Sequence, residues 1–218
     1  NKHLIRLVLN QRPAGWLEAR TAAELLNFSP IWQIENGTIK LQGGNIAEQL
    51  QLAANYLRSH GSILGWRNEN YGIYTESEAG HADFTQSLGA LERASFRRLG
   101  LISRAVHINA YYPDGTICLG KRASTKSIDP NRLDNMTAGG IPINESIHDC
   151  AIRELREEAN VPVDIASNIQ FVDSIHIQRN ELDGTHNEVI YCFDLALSDD
   201  FVPHNQDGEV SEFFRFSQ

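Results

Sequence analysis

The sequence predicts an α/β protein in two parts, a small α+β unit over residues 1–100 and a strand-rich domain over 101–218. Three observations carry this expectation. The 218 residues suit one large domain or two small ones, at roughly 100–200 residues per domain. The texture changes near Gly100, where mixed helical segments give way to strand-like runs. One stretch without Pro or Gly inside it, Asn144–Ala159, then sits between two pairs of strand-like runs and reads as a helix of about four turns.

Before Gly100, Pro13–Leu26 and Asn45–His60 have helical spacing. In the second, Ile46, Leu50, Leu52, Ala53 and Leu57 form the apolar stripe, and Asn45 followed by Glu48 suits a helix start. Between them, Ile31–Ile34 and Thr38–Leu41 flank Asn36-Gly37, a pair whose easy positive φ suits a two-residue hairpin turn. After Gly100, Ala105–Tyr112 and Thr116–Arg122 read as strands joined through Pro113-Asp114-Gly115. Ile169–Gln178 and Glu188–Leu197 bracket Asp183-Gly184 and are expected to form a long hairpin.

Composition narrows the function classes. Apolar residues make up 41% and charged residues 22%, which excludes a disordered or collagenous chain. A net charge of −9 argues against a nucleic-acid partner, because a polyanion meets repulsion. A small anion escapes that objection if a divalent cation lies between it and protein carboxylates. No run approaches the ~20 apolar residues that span a bilayer, so no membrane partner is expected. The cysteines, Cys118, Cys150 and Cys192, are odd in number and widely spaced, as buried reduced thiols of a cytoplasmic protein would be. The chain starts without Met and stops soon after a strand-like segment, as an ordered fragment lacking any C-terminal helix would.

The central helix carries the chemistry. Ser146 and Asp149 suit its N-terminal cap, and Asn160 before Val161-Pro162 suits a left-handed stop. Glu154, Glu157 and Glu158 stand at i, i+3 and i+4, so their carboxylates share an arc of about 100°. Ile152, Leu155 and Ala159 lie opposite, which places the acids on an outward face. Three neighbouring anions repel, and Arg153 and Arg156 neutralise only part of this. Either the face is simply solvated, or a hard cation such as Mg²⁺, which prefers oxygen ligands, compensates. Ala138-Gly139-Gly140 upstream lets the backbone pass close to the helix, so a main-chain carbonyl can complete a metal's oxygen set.

Read from Gly139, the chain gives Gly, five residues, Glu145, seven residues, then Arg153-Glu154-Leu155-Arg156-Glu157-Glu158-Ala159-Asn160-Val161. This resembles the Nudix signature at every position except its last glycine, where Asn160 stands and tolerates the same conformation. The resemblance covers about Leu101–Gln218 and implies an α/β/α sandwich with a mixed sheet that binds Mg²⁺ or Mn²⁺ and hydrolyses a diphosphate joined to another moiety. It implies Glu157 and Glu158 as principal metal ligands, with the Ala138 carbonyl as a further one. Glu154 becomes a metal ligand or the base for water, oriented by Arg153, and Glu145 braces the loop. Arg122 ends a strand where related enzymes often hold phosphate, and Glu209 resembles the extra acid that many members bring from a later strand or loop.

A narrower likeness rests on Val106-His107-Ile108-Asn109, Lys126, Leu133–Gly140 and Leu91-Glu92-Arg93-Ala94. These are similar to the Nudix subgroup related to the module fused to thiamine pyrophosphokinase, which carries an N-terminal extension. That implies removal of the terminal phosphate from thiamine diphosphate and damaged analogues; Lys126 and His107 are the further substrate-contact candidates, His107 with a strand histidine satisfied by a neighbour as the equal alternative. Trp66, Tyr71 and Tyr74 can stack on a heterocycle, although core packing is the commoner use of such aromatics; His176 and His186 suggest nothing further. Hydrolysis of ADP-ribose or another nucleoside diphosphate derivative is the alternative. An isopentenyl diphosphate isomerase needs a cysteine motif that Cys118 and Cys150 do not match, and a non-catalytic nucleotide-binding regulator sits poorly with a complete glutamate set. A homodimer is left open.

Overall fold

The structure, a computed structural model, describes residues 4–125 and 129–217, so Lys126 lies outside the described residues. The described chain divides into two compact units, residues 1–103 with 176–188, and residues 104–175 with 189–218.

The first unit begins with β1 (Leu4–Leu9), β2 (Arg12–Glu18), α1 (Ala19–Phe28), β3 (Trp32–Glu35), β4 (Thr38–Leu41) and α2 (Ile46–Ser59). Its sheet runs β2-β1-β4-β3, with β1 and β4 parallel and the outer pairs antiparallel. The helix expected over Pro13–Leu26 is corrected here: its first half is strand. Asn10 and Gln11 both take positive φ and fold the chain back, and pairing with β1 overrides the helical spacing. Pro13 is tolerated because β2 is an edge strand. The Asn36-Gly37 turn forms as the sequence suggests, with both residues at positive φ. The Asn45 side chain accepts from the Glu48 amide at the start of α2. Leu52 leaves the expected stripe and is 48% exposed, while Ala54 is buried in its place.

Four short strands follow, β5 (Asn70–Gly72), β6 (Thr75–Glu76), β7 (Ala82–Asp83) and β8 (Ala90–Glu92), then a 3₁₀ turn and α3 (Phe96–Leu99). Tyr71 and Tyr74 are buried here, and Arg58 lies over Trp66 with 4.4 Å to the ring centroid. These aromatics serve packing, the commoner of the two uses.

The second sheet contains β9 (Ser103–Tyr111), β10 (Ile117–Arg122), β11 (Leu133–Asp134), β12 (Thr137–Gly140), β13 (Gln170–Glu181), β14 (Gly184–Ala196) and β15 (Val210–Phe216). Its main path is β11-β10-β9-β14-β13, with β12 against β9 and β15 against β10. Helix α4 (Ile147–Ala159) lies in sequence between β12 and the short α5 (Val163–Ala166). Val106, Ile108 and Ala110 of β9 share one core with Cys150, Ala151, Leu155 and Ala159 of α4. The chain therefore has the α/β character expected, with a separate sheet ahead of the domain that holds α4.

The β13–β14 hairpin is longer than its sequence pattern suggests, and its tip, residues 176–188, belongs to the first unit. Asn187 donates to the Gly100 carbonyl at 3.2 Å, and His176 Nε2 meets Asn187 Oδ1 at 2.8 Å. A boundary drawn along the sequence at residue 100 cannot include this returning segment.

Candidate active site

Helix α4 is delimited as its sequence dictates. Ser146 accepts from the Asp149 amide at 3.0 Å and donates to the Asp149 carboxylate at 2.7 Å, which closes the N-terminal cap. At the other end Asn160 is left-handed, with φ 53°, and its amide donates to the Arg156 carbonyl while Val161 donates to that of Leu155. That pair of bonds is a Schellman stop, usually built on glycine.

The acidic face is not outward as expected. Glu154 and Glu158 are only 8% and 5% exposed, whereas Glu157 is open to solvent. Two pieces of chain outside the helix account for this. The first is β12: an added Cβ at Gly139 would lie 1.9 Å from Glu154 Oε1, so only glycine leaves room for that carboxylate. Next to it, the Ala138 amide donates to Glu158 Oε2 at 3.0 Å. In an extended strand a residue's N–H and C=O point to the same edge, so the Ala138 carbonyl also turns toward α4 rather than β9.

The second covering piece precedes β15. His204 and Gln206 donate their amides to the Ala159 and Glu157 carbonyls at 3.1 and 3.2 Å, two of the acceptors that a helix end leaves open. The Gln206 side chain donates to the Asn160 side-chain oxygen. Docked in this way, the segment brings Asp207 and Glu209 to Glu158, with one carboxylate oxygen of each within 4.8 Å of the others. Glu209 was a sequence candidate; Asp207 was not, and its only signal was its place in the Asp207-Gly208-Glu209 turn.

Arg153 organises the other side of the face. Its Nε and Nη2 donate to the two Glu145 oxygens, both at 2.8 Å, a bidentate pair. Nη1 reaches Glu154 Oε1 at 2.7 Å and Glu157 Oε2 at 3.0 Å. Glu157, expected beside Glu158 as a principal ligand, is thus held by Arg153 and stands outside the group formed with Asp207 and Glu209.

Burial pushes the Glu158 carboxyl up to about 8, against the pull of the Ala138 amide, and the neighbouring acids Glu154, Glu209 and Asp207 add to the rise. Burial likewise raises Glu154 to about 7, despite the Arg153 guanidinium beside it. The donor set suits a hard divalent cation. It consists of carboxylate oxygens converging from a helix and a loop, one of them buried with a single backbone amide as its hydrogen-bond donor among the described residues.

Arg122, at the end of β10, meets Asp134 at 3.1 Å. It lines one small cavity together with Ala138, Glu158, Glu209 and Asn135. His107 stands in register with Ala138 across the β9–β12 pair and hydrogen-bonds Asn135 at 2.7 Å. Cys118 and Cys150 are buried, and burial raises both thiols, Cys118 to about 11. Neither is placed to act as a nucleophile.

Comparison with known proteins adds a separate line of information. The family model described as NUDIX domain matches residues 102–218. Nudix hydrolase 24, chloroplastic, of Arabidopsis thaliana is 29% identical over 224 residues, covering 96% of this chain and 58% of that protein. Nudix hydrolase 20, chloroplastic, of the same plant is 30% identical over 226 residues, covering 96% and 59%. The chain thus spans about three fifths of the length of these curated relatives. Among solved structures, DR0079 from Deinococcus radiodurans aligns with a TM-score of 0.48 and 20% identity, over 67% of this chain and 82% of that one. Among the described residues no helix is long and apolar enough to cross a membrane.

Proposed function

The chain belongs to the Nudix family, and on that premise we propose that it hydrolyses the diphosphate linkage of a small organic diphosphate with Mg²⁺ or Mn²⁺ as cofactor. One observation carries the reading: Glu158, Asp207 and Glu209 converge within 4.8 Å, and two of them line a cavity with Arg122. A diphosphate resists attack because its oxygens repel an incoming hydroxide. When bound, a divalent cation neutralises that charge and makes water more acidic.

The protein's own groups then have distinct tasks. Glu158, Asp207 and Glu209 would hold the cation, and the Ala138 carbonyl, at the same edge of β12 as the amide bound to Glu158, would be a further ligand. Arg122, which lines the cavity beside Asp134, is the cationic partner for a phosphate. Arg153, locked by Glu145, holds Glu154 through Oε1 and leaves Oε2 to take a proton from water. Glu209 is the second candidate for that proton. Glu157, tied to Arg153, steadies this arrangement and can join the ligand set from the open side.

The preferred substrate is thiamine diphosphate or a damaged analogue, cleaved to the monophosphate in a cytoplasmic setting. The run Leu133–Gly140 supports this, since it combines the subgroup likeness with Asn135, Met136 and Ala138 in the cavity wall. Incubation with Mg²⁺ or Mn²⁺ and a panel of thiamine diphosphate, ADP-ribose and dinucleoside polyphosphates, with chromatographic identification of products, tests it. Thiamine monophosphate and inorganic phosphate are the expected products. Cleavage of ADP-ribose alone replaces the substrate with a nucleoside diphosphate derivative, and no cleavage of any member with either metal overturns the hydrolase reading.

A further inference from the structure

On β9 the residues alternate, with Val106 and Ile108 in the core and His107 and Asn109 on the opposite face. A chain of side-chain hydrogen bonds crosses that face. Asn109 Nδ2 donates to Asp194 Oδ1 at 3.2 Å, Asn135 Nδ2 donates to Asn109 Oδ1, and Asn135 Oδ1 meets His107 Nδ1 at 2.7 Å. The chain has a direction because one end cannot donate. An ionised carboxylate only accepts, so Asp194 must receive the Asn109 amide N–H. That leaves the Asn109 oxygen toward Asn135, which must donate in turn, and the Asn135 oxygen toward His107. The group left to supply the last proton is His107 Nδ1.

We infer that Asp194, Asn109 and Asn135 form a relay that holds neutral His107 as its Nδ1–H tautomer, so that Nε2 presents a lone pair to the substrate beyond its diphosphate. Nε2 makes no hydrogen bond among the described residues. Asn135 lines the cavity shared by Arg122, Glu158 and Glu209, and His107 pairs with Ala138 of the same wall. The ring nitrogen left over, on the strand that pairs with this wall, is therefore an acceptor. A substrate satisfies it only by bringing an N–H or O–H, such as a ring amine or a sugar hydroxyl; a fully ionised phosphate cannot. Asp194, Asn109 and Asn135 are positioning residues, and His107 is the contact that selects diphosphates carrying such a donor. This selection rests on the hydrolase reading, whereas the tautomer itself does not.

The test is imidazole NMR of the ¹³C,¹⁵N-labelled chain without substrate, at mildly alkaline pH, in the wild type and in Asp194→Asn. The wild type is expected to show Nδ1 protonated and Nε2 bare. Asp194→Asn, whose amide can donate as well as accept, should let the relay reverse and bring in the Nε2–H form. Adding Asn135→Asp to Asp194→Asn places an acceptor directly on Nδ1 and should restore the original tautomer. In turnover, Asp194→Asn should raise KM for an amine-bearing diphosphate about tenfold, with kcat changed less than about twofold. A wild-type His107 protonated on Nε2, or a tautomer indifferent to Asp194→Asn, overturns the relay. Failure of turnover with the NMR result intact removes the hydrolase reading alone.

Discussion

In the first unit Glu92, 2% exposed, accepts from the Arg67 and Ala94 amides at 3.0 and 3.3 Å, and Glu18 meets the Arg98 guanidinium at 3.3 Å. In the second, Glu158 is as deeply buried, yet it accepts one amide and shares its surroundings with Asp207, Glu209 and Glu154. A buried acid supplied with donors is architecture. A buried acid crowded by other acids stores a demand for positive charge, and that demand marks the second unit as the chemical one.

The sharpest way to break the contrast is Glu158→Gln. It removes the charge and keeps the shape, so turnover should fall by about a thousandfold or more while the far-UV spectrum is retained. Mg²⁺ or Mn²⁺ should raise the thermal midpoint of the wild type and leave that of this variant unchanged. Full metal-dependent turnover in this variant would mean that Glu158 is not a ligand.

Arg98→Met is the matching change in the first unit. Removing the cation beside buried Glu18, and the Arg98 bond to the Ser62 carbonyl, should cost on the order of 3 kcal/mol in a urea titration, with metal affinity unaltered. Loss of metal binding here would erase the distinction between the two kinds of buried acid.

The pH dependence of the metal-free protein reads the same demand directly. Glu154 and Glu158 have folded values of about 7 and about 8 against an ordinary 4.5, so between these limits the folded state binds more protons than the unfolded. Stability is therefore highest near the lower limit and declines as pH rises to about 8, as the protons held by the two folded-state carboxyls are lost. Saturating Mg²⁺ should flatten the decline, and Glu158→Gln should remove much of it. A metal-free stability that rises across this range contradicts the assignment.

Smaller effects come from the covering pieces. Gly139→Ala should displace the Glu154 carboxylate and lower kcat about ten- to fiftyfold with the fold kept, since the obstructing atoms belong to a flexible side chain. Asn160→Gly keeps the left-handed stop but loses the anchor for Gln206, and should weaken metal binding only about two- to fivefold by calorimetry. A larger loss than from Gly139→Ala would reverse the ranking of the two.

Much of α4 was readable in the sequence, because caps, spacing and signature are local properties. Ser146, Asn160 and the close passage at Gly139 all act within a few residues or against the next element. The direction of the acidic face was not readable. Helical angles relate Glu154, Glu157 and Glu158 to Leu155 but do not include β12 or the 204–209 segment, which cover that face from outside. Asp207 was missed for the same reason, since its role depends on where a loop docks. The segment Arg12–Glu18 is strand despite its helical spacing because pairing with β1 outweighs a weak local preference.

Asn160 terminates α4 and also tethers the segment that delivers Asp207 and Glu209. Fraying of the final helical turn and dispersal of this acidic cluster are therefore linked. An ion held by that cluster would act as a clasp on this turn, and slowed amide exchange at Ala159 and Asn160 would report its occupancy from outside the proposed ligand set.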